Sequence, residues 1–441
     1  MRKFLAILIC RILTVVGKLM GKGTSLPGGF ALKVCPDILR RIQKPPVIIA
    51  VTGSNGKTST VEMIASVLKA GGKTIAYNAE GSNQIEGVTT MILNSCTWSG
   101  KMKQDILLIE SDERYAKFTF KWFHPTHYVM TNLYRDQLTR NAHPEWVFHA
   151  IEESVFSDTK LLLNADDPQL SLFGQDRDNV VWFGLEHNQY DSEIFHGAYH
   201  DGAVCPRCGK TMEYDYYHYN HIGKFSCPSC GLKRQDTAYS VTDLNLEESR
   251  IVINGKDTIS LAFRSIYNIY NILATYAVCH EVGIPGEVAA QVMSNYILKN
   301  GRLISFTLGE HPGTFLISKH ENSVSYDMSF RYAVMEKKPC TVVVIVDAVS
   351  RKYFTSETSW LWDIHFDWLE DPCVKQVYLC GKYCNDLALR LSFSQVSPGK
   401  LRVFPDIDAA CEELRNKGSE QVYAVTCFSD RMKFLSNVTV K

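Results

Sequence analysis

Short apolar runs that end in polar residues recur along the first part of the chain. They cover residues 47–51, 106–109, 127–131 and 160–163. A short apolar run bounded by turn residues predicts a buried strand. Because glycine, acidic or asparagine-rich residues follow each run, the pattern predicts a doubly wound parallel sheet with a ligand site along its carboxyl edge.

A second group of apolar runs follows residue 301. Residues 341–346, 377–379 and 422–425 predict three further strands, and a helix containing Arg390 follows the second of them. Alternating strands and helices again indicate a parallel sheet. The predicted fold class is therefore α/β, with two sheets in separate domains.

The chain is predicted to have a helical leader, a larger domain with an insertion at about 200–235, and a smaller α/β domain. The three parts cover residues 1–45, 46–300 and 301–441. In the leader, Arg11 and Lys18 interrupt an apolar run over 4–20, so the run is too short to span a bilayer and no convincing cleavage site follows it. Two interpretations stay open: a helix packed on the core, or a helix that touches the membrane surface.

The composition limits the classes of function. The 441 residues suffice for two or three domains, and 47 Lys and Arg balance 47 Asp and Glu, so the overall charge gives no sign of a nucleic-acid partner or a polybasic membrane patch. The 14 cysteines come without a secretory signal, which indicates a cytosolic protein. Five of them lie among apolar neighbours, as reduced core thiols do: Cys10, Cys35, Cys96, Cys279 and Cys340.

Four other cysteines form two matched pairs, each with a proline inside and a glycine just after. They are Cys205, Cys208, Cys227 and Cys230. Two such pairs separated by 18 residues are typical of a closed tetrahedral Zn²⁺ site, and two disulfides or four free thiols are the alternative. A closed four-thiolate shell has no open position, so we expect the zinc to fold the insertion. His218 and His221 lie between the pairs and could compete as ligands, but we predict that they are surface residues.

The string Thr-Gly-Ser-Asn-Gly-Lys-Thr-Ser-Thr occupies residues 52–60, between the first predicted strand and a helical pattern over 61–70. Lys57 and Thr58 are therefore predicted at a helix N-terminus, where free N–H groups and the helix dipole favour a phosphate. Lys57 would contact the β- and γ-phosphates of ATP, and Thr58 would hold Mg²⁺. The residues predicted to bind the nucleotide here are Gly53, Asn55, Gly56, Lys57, Thr58 and Ser59.

Two features of this region leave alternatives open. The general phosphate-loop pattern has a glycine where this chain has Val51, so a plain glycine turn with an exposed lysine is the alternative. Glu110 and Glu113 follow the second predicted strand, where a carboxylate can bind Mg²⁺ directly or through water. A solvated acidic turn is the other interpretation.

Several strings resemble one known family. The loop at 52–60 resembles the ATP loop of the Mur ligases, which join amino acids or amines to a carboxylate through an acyl phosphate. Six later strings resemble successive motifs of the MurT subgroup of that family, at 110–113, 131–138, 164–168, 267–271, 360–363 and 381–391. The resemblance covers nearly the whole chain. It implies a Mur-ligase central ATP domain that carries the zinc insertion, followed by a Rossmann-like C-terminal domain.

The resemblance implies roles for further residues. Glu110 corresponds to the family's magnesium ligand. Asn268 and Asn271 correspond to its asparagine pair at the adenine end, with Asp167 nearby. From the residues alone, two asparagines near a helix start are more typical of caps. Asp363 corresponds to the aspartate that completes the Cys-His pair of a partner glutaminase and orients its imidazole.

The resemblance also implies the reaction. The MurT subgroup works with a glutamine-hydrolysing partner, GatD, and amidates the α-carboxyl of D-glutamate in the lipid II stem peptide. We therefore expect an ATP-dependent carbon–nitrogen ligase subunit with Lys57 and Asp363 as catalytic residues, in the cytoplasm or at the inner face of the membrane. The chain shows no convincing glutaminase elbow of its own, so the hypothesis requires the partner. Trp360 and Trp362, interpreted as lying at a strand edge, are either exposed anchors for that partner or core residues.

Three strings in the C-terminal part depart from the family pattern. They lie at 301–304, 319–325 and 354–357. The departures keep two alternatives open. One is a free-standing ligase that adds an amino acid, as folylpolyglutamate synthases do, and the other is a nucleotide-binding scaffold that has lost the transfer site.

Overall fold

The computed structural model describes residues 1–19, 25–78, 82–136, 143–296, 303–319, 321–347, 357–417, 421–427 and 430–440. The chain forms two compact units. The first comprises Met1–Tyr134, Pro144–Ile194 and Gly202–Tyr296, and the second comprises Arg135–His143, Phe195–Asp201 and Ile297–Lys441. The predicted boundary between residues 300 and 301 lies outside the described residues.

The first unit is built on a nine-stranded sheet, and a two-stranded hairpin is attached to it. The strands in chain order are β1 (Val47–Thr52), β2 (Ile75–Tyr77), β3 (Ile106–Glu110), β4 (His127–Met130), β5 (Lys160–Asn164), β6 (Val180–Leu185), the hairpin strands β7 (Glu213–Tyr219) and β8 (Ile222–Ser226), β9 (Tyr239–Asn245), β10 (Arg250–Ile253) and β11 (Asp257–Ser260). The sheet order is β11-β10-β9-β6-β5-β4-β1-β3-β2. From β9 to β2 the neighbours pair in parallel, whereas β10 and β11 pair antiparallel.

Helices precede the first strand of this sheet and follow several of the later ones. They are α1 (Arg2–Leu19), α2 (Ser25–Val34), α3 (Ile38–Arg41), α4 (Lys57–Ala70), α5 (Ile85–Ser95), α6 (Ala116–Phe120), α7 (Pro144–Glu152), α8 (Ile266–Glu281) and α9 (Gly286–Ser294). All residues of β3 are buried, as expected for a parallel strand that is covered on both faces. All four strands predicted for this part are present.

The N-terminal helices pack on the core through one face of α1. Ala6, Ile7 and Cys10 of α1 are buried in one cluster with Ala31 of α2 and Leu93 of α5. The interpretation of a helix packed on the core is therefore confirmed for this face. Within the described part of the chain, no helix combines the length and the apolar character that a membrane crossing requires.

The second unit contains a seven-stranded sheet. Its strands are β12 (Leu303–Leu308), β13 (His311–Ser318), β14 (Cys340–Ile345), β15 (Val374–Cys380), β16 (Leu401–Phe404), β17 (Gln421–Cys427) and β18 (Thr439–Val440). Its helices are α10 (Ser323–Met335), α11 (Cys384–Leu391), α12 (Ile407–Lys417) and α13 (Arg431–Leu435). In the order β16-β15-β14-β17-β13-β12-β18, the first five pair in parallel. The prediction of a second parallel sheet is confirmed.

Trp360 and Trp362 lie in the 3₁₀ turn Ser359–Asp363 and not at a strand edge. Trp360 is buried against Tyr326, with ring centroids 5.3 Å apart, whereas Trp362 is 47% exposed. Neither alternative holds for both residues, because the turn directs one ring into the core and the other to solvent.

The cysteines outside the two matched pairs are buried thiols. None of the described cysteines forms a disulfide, and the five predicted core thiols are all buried. Burial raises the pKa of Cys10 to about 11, so this thiol stays protonated near neutral pH. The prediction of reduced core cysteines is confirmed.

Candidate functional site

The loop between β1 and α4 has the backbone of an anion-binding turn. β1 ends at Thr52 and α4 begins at Lys57. Gly53 and Gly56 have φ angles of +135° and +86°, a region that L side chains rarely adopt. A Cβ at Gly56 would also collide with the side-chain oxygen of Asn271. Glycine at both positions therefore lets the backbone close around a phosphate at the start of α4.

Lys57 occupies the first position of α4, and only 10% of its side chain is exposed. Its Nζ donates to the backbone oxygen of Gly53 and forms an ion pair with Glu113. Burial alone would lower the pKa of Lys57, but three nearby carboxylates, Glu113 first, outweigh it and raise the pKa overall. Lys57 is a fixed ammonium ion, and the alternative of an exposed lysine is wrong.

Glu110, at the end of β3, is buried beside the start of α4. Its carboxylate accepts hydrogen bonds from the side chains of Thr58 and Asn83. Burial raises the pKa of Glu110, and Lys57 and Thr58 offset part of that effect. Since Glu113 is buried too, the interpretation of a solvated acidic turn is wrong. The two predicted magnesium ligands, Thr58 and Glu110, lie together, and a carboxylate with a hydroxyl is a donor set that suits Mg²⁺.

The residues after β4 hold the phosphate loop from its other side. Asn132 accepts a hydrogen bond from the N–H of Asn55 at 2.8 Å and donates to the carbonyl of Asn55 at 3.2 Å. Thr131 donates to the same carbonyl at 2.7 Å, and the N–H of Tyr134 donates to the hydroxyl of Ser54 at 2.9 Å. The sequence alone assigned no role to Asn132. Its signal was its place just after β4, the strand paired with β1.

Asn271 of α8 lies against the phosphate loop at Gly56, and Asn268 is buried one turn earlier on the same helix. The residue that precedes α8 as its N-cap is Ser265. The alternative of two capping asparagines is therefore wrong, because both lie inside the helix. Contact of Asn268 and Asn271 with adenine stays a prediction.

The carboxylate of Asp167, in the turn after β5, accepts hydrogen bonds from backbone N–H groups. Oδ2 accepts from the N–H of Leu133 at 2.7 Å, and Oδ1 accepts from the N–H of Gln169 at 2.9 Å. Leu133 belongs to the stretch that holds the phosphate loop, so Asp167 fixes the position of that stretch. A direct contact of Asp167 with the nucleotide stays a prediction.

The hairpin β7–β8, between the two cysteine pairs, packs on this same turn. His218 Nδ1 lies 2.6 Å from Asp191 Oδ1, and His218 Nε2 lies 3.7 Å from Asp166 Oδ2. His221 Nε2 lies 3.7 Å from Asp167 Oδ1. Both histidines are buried, so their predicted surface position is wrong. The insertion folds back on the sheet edge, and its histidines contact carboxylates there.

The two cysteine pairs converge into one cluster. The four sulfur atoms lie within 4.8 Å of one another, and Sγ–Sγ distances are 3.6 Å for Cys205 with Cys230 and for Cys208 with Cys227. A tetrahedral zinc ion with Zn–S bonds of about 2.3 Å separates its sulfurs by about 3.8 Å, whereas a disulfide bond is about 2.05 Å long. The cluster therefore fits zinc and excludes the disulfide alternative. Neither histidine belongs to it.

The two pairs also share a backbone conformation. The N–H of Gly209 donates to Cys205 O at 2.9 Å, and the N–H of Gly231 donates to Cys227 O at 3.0 Å. These glycines have φ angles of +71° and +75°. Each pair thus makes the same tight turn, which presents two sulfurs to one point.

In the second unit, Asp363 ends the 3₁₀ turn and is held by Arg135. Arg135 Nη1 lies 3.3 and 3.2 Å from the two carboxylate oxygens of Asp363. Arg135 is itself fixed, because its N–H donates to Asp201 at 2.9 Å and its guanidinium lies 3.4 Å from the ring centre of Tyr199. Arg390 donates to the carbonyls on both sides of Asp363, Leu361 at 3.2 Å and Ile364 at 2.8 Å. The sequence did not reveal that these two arginines fix Asp363.

The departing strings are described only in part, since residues 301, 302, 320 and 354–356 lie outside the described residues. Lys319 and Asn322 both bind the buried carboxylate of Asp136, the lysine by an ion pair and the amide at 2.8 Å. Asn322 also accepts from the N–H of Ser325 at 2.8 Å and caps α10. These residues therefore form a structural contact despite the altered string.

Comparison with known proteins identifies the family to which this chain belongs. Residues 51–279 match the Mur ligase middle domain, and residues 320–430 match the MurT ligase C-terminal domain. The chain belongs to the Mur ligase family. The Mur ligase fold and the resemblance to the MurT subgroup are thereby confirmed, and the protein is a ligase of this family.

Among the relatives that match the chain nearly end to end are two from different species. Both are named lipid II isoglutaminyl synthase (glutamine-hydrolyzing) subunit MurT. The protein from Staphylococcus aureus (strain COL) is 29% identical over 399 residues, which cover 90% of this chain and 89% of the relative. The protein from Streptococcus pneumoniae (strain ATCC BAA-255 / R6) is 26% identical over 423 residues, which cover 94% and 92%.

Solved Mur ligase structures share the fold. A pseudomurein peptide ligase type C from Methanothermus fervidus matches with a TM-score of 0.70 at 19% identity, covering 91% of this chain and 80% of that one. MurF ligase from Thermotoga maritima in complex with ADP matches with a TM-score of 0.59 at 14% identity, covering 92% and 83%. At these identities the likeness concerns the Mur ligase fold alone.

Proposed function

We propose that this protein is the ATP-dependent synthetase subunit of an enzyme that amidates the α-carboxyl of D-glutamate in the lipid II stem peptide. The ammonia would come from a GatD-type glutaminase bound as a second subunit. The main support is the end-to-end similarity to two MurT subunits of lipid II isoglutaminyl synthases. It includes a MurT-type C-terminal part that carries Asp363. The reaction would take place at the inner face of the membrane, where a lipid-linked substrate is held.

The phosphate loop fits the first half of this reaction. A carboxylate oxygen of the substrate attacks the γ-phosphorus of ATP, the bond to the β–γ bridging oxygen breaks, and an acyl phosphate and ADP form. Lys57 and the N–H groups at the start of α4 would neutralise the charge that develops on the phosphates. Thr58 and Glu110 would hold Mg²⁺, which supplies further positive charge when bound.

Ammonia then attacks the acyl carbon, phosphate leaves and one proton is lost, which gives the amide. The acyl phosphate is easily hydrolysed, so the site has to exclude water while it receives ammonia. Asn268, Asn271 and Asp167 would contribute to the nucleotide site beside the phosphate loop. The four cysteines would hold a structural Zn²⁺ that folds the hairpin onto the sheet edge.

Asp363 would serve the partner's reaction. We place it beside the imidazole of the partner's Cys-His pair, where a carboxylate fixes the ring's orientation and tautomer. Two features support this role: the carboxylate is held by Arg135 on a turn fixed by Arg390, and the neighbouring Trp362 is exposed. An exposed tryptophan is a common anchor at protein interfaces.

The test is co-purification with a candidate glutaminase followed by mass spectrometry of lipid II after incubation with ATP and glutamine. The expected product carries an amide in place of one carboxyl group, and glutamate is released in equal amount. An unchanged lipid II mass in the presence of an active glutaminase contradicts the proposal. Turnover that requires a free amino acid in place of glutamine indicates a free-standing ligase, and ATP binding without turnover indicates a scaffold.

A further inference from the structure

The helix α1 is apolar on two opposite faces. One face packs on the core through Ala6, Ile7 and Cys10. The opposite face presents Leu5, Ile12, Val16 and Leu19, which are spaced seven, four and three residues apart and so share one side of a helix. A surface helix normally carries polar residues there, and a contiguous exposed apolar strip indicates an interaction site.

The exposed strip is long and open. Ile12 is 53% exposed and Leu19 is 84% exposed. The 18 residues of α1 extend over about 27 Å at about 1.5 Å per residue. We call this face of α1, together with Trp98, the α1 surface.

Trp98 extends this surface beyond the helix. Its ring centroid lies 5.5 Å from that of Phe4, and the guanidinium of Arg11 lies 4.2 Å from its ring centre. Both aromatic side chains are about half exposed. Tryptophan is enriched at the boundary between headgroups and acyl chains, because its ring is apolar on its body and polar at its N–H.

The charged residues among the first 36 positions all have one sign. Residues 1–36 contain no Asp or Glu. They contain six basic residues: Arg2, Lys3, Arg11, Lys18, Lys22 and Lys33. Arg2, Lys18 and Lys33 are exposed. Since Lys and Arg balance Asp and Glu over the whole chain, this segment is locally basic against a neutral background.

We infer that the α1 surface binds in the plane of a bilayer that contains anionic lipids. The apolar strip enters the boundary between headgroups and acyl chains, and the basic residues contact anionic headgroups. This occupant matches both properties of the surface, an open apolar strip and flanking positive charge. The inference does not depend on the reaction proposed above.

The test is co-sedimentation of the full chain with lipid vesicles in the absence of ATP, glutamine and any partner. The expected result is strong binding to vesicles in which half of the lipid is phosphatidylglycerol, at least tenfold weaker binding to phosphatidylcholine alone, and loss of binding at high salt. Equal binding to both lipids, or no binding to either, overturns the inference.

Two variants locate the binding surface. Ile12→Asp with Val16→Asp puts charge on the exposed strip and is expected to reduce vesicle binding at least tenfold. The matched control is Ile194→Asp, since Ile194 is an exposed isoleucine of the same unit at 66% and lies outside the α1 surface. Arg2→Gln with Lys18→Gln is expected to lower the partition coefficient roughly fivefold for each charge removed.

The same variants distinguish a membrane from a protein partner. If α1 instead joined two copies of this chain, the wild type would sediment as a dimer without lipid and Ile12→Asp with Val16→Asp would make it monomeric. That result, or unchanged vesicle binding by the double variant, overturns the inference. Thermal unfolding confirms that the variants fold, which is expected because both side chains are exposed.

Discussion

Arg135 holds Asp363 by one nitrogen shared between two oxygens, with Nη1 3.2 Å from Oδ2 and 3.3 Å from Oδ1. The aspartate is partly exposed, and its orientation is fixed by this contact and by the turn to which Arg390 donates. An aspartate that orients an imidazole has to keep one geometry while the partner binds. In the role proposed for Asp363, the contact with Arg135 would supply that restraint.

Arg135→Gln should lower the kcat of glutamine hydrolysis by the complex on the order of tenfold, because one charge-assisted hydrogen bond to Asp363 is lost. Asp363→Asn should lower it further. Glutaminase assays of the purified complex measure both. Arg402→Gln is the control, since Arg402 is exposed and donates to the nearby backbone carbonyls of Gly399 and Leu401. Equal rates for Arg135→Gln and wild type would contradict the role of this contact.

Lys57 and Glu113 form a buried ion pair, so removing one partner leaves a buried charge. Lys57→Met should abolish amidation and lower the free energy of unfolding by about 3 kcal/mol. Adding Glu113→Gln should recover most of the stability and none of the activity, because the carboxylate that is ion-paired with Lys57 is then removed as well. Urea unfolding and product assays of the wild type and the two variants measure this. A Lys57→Met variant as stable as the wild type would show that burial of the Glu113 carboxylate does not require the charge of Lys57.

The sequence predicted those structural features that depend on residues close together in the chain. Apolar runs mark strands, the string at 52–60 marks a strand–turn–helix, and paired cysteines mark a metal cluster. In each case the cause lies within a few residues of the chain. The central strands, the position of Lys57 at the start of α4 and the convergence of Cys205 with Cys230 all agree with these predictions.

The features that the sequence did not reveal depend on contacts between distant segments. His218 and His221 are buried because the insertion folds onto Asp166 and Asp167, some 50 residues earlier in the chain. Trp360 and Trp362 differ in exposure because of the turn in which they lie, which no local period indicates.

The zinc cluster should be required for the nucleotide site as well as for its own insertion. Cys227→Ser should prevent zinc binding and unfold the hairpin. His221 would then lose its contact with Asp167, whose carboxylate accepts from the backbone N–H of Leu133 beside the phosphate loop. We expect weaker ATP binding by calorimetry and no zinc by elemental analysis. Cys411→Ser, at a buried thiol of the second unit, is the control and should retain zinc. Full ATP affinity in zinc-free Cys227→Ser protein would limit the metal's role to the insertion.

His127 should make the free energy of unfolding of the first unit decrease at acidic pH. Burial, and next the positive charge of Lys160, lower the pKa of His127 to about 4. Because its pKa is depressed in the folded protein, this histidine binds a proton more readily in the unfolded chain, and protonation therefore favours unfolding. Its contribution to the free energy of unfolding is fully present above about pH 6.5 and is lost as the pH falls toward 4. Between pH 7 and pH 5, His127→Gln should lose less stability than the wild type, by on the order of 2 kcal/mol. Thermal unfolding at the two pH values measures the difference, and parallel losses would contradict it.

Glu110→Gln should lower the rate of turnover without lowering thermal stability. Burial raises the pKa of Glu110, which means that its negative charge costs folding free energy at neutral pH. Glutamine has nearly the same shape without the charge, and the hydrogen bond from the Glu110 backbone N–H to Asn78 at 2.9 Å is kept. We therefore expect an unchanged or higher melting temperature together with at least a hundredfold loss of Mg²⁺-dependent turnover. A residue retained only for structure would give the opposite pattern, a lower melting temperature with normal turnover per folded molecule.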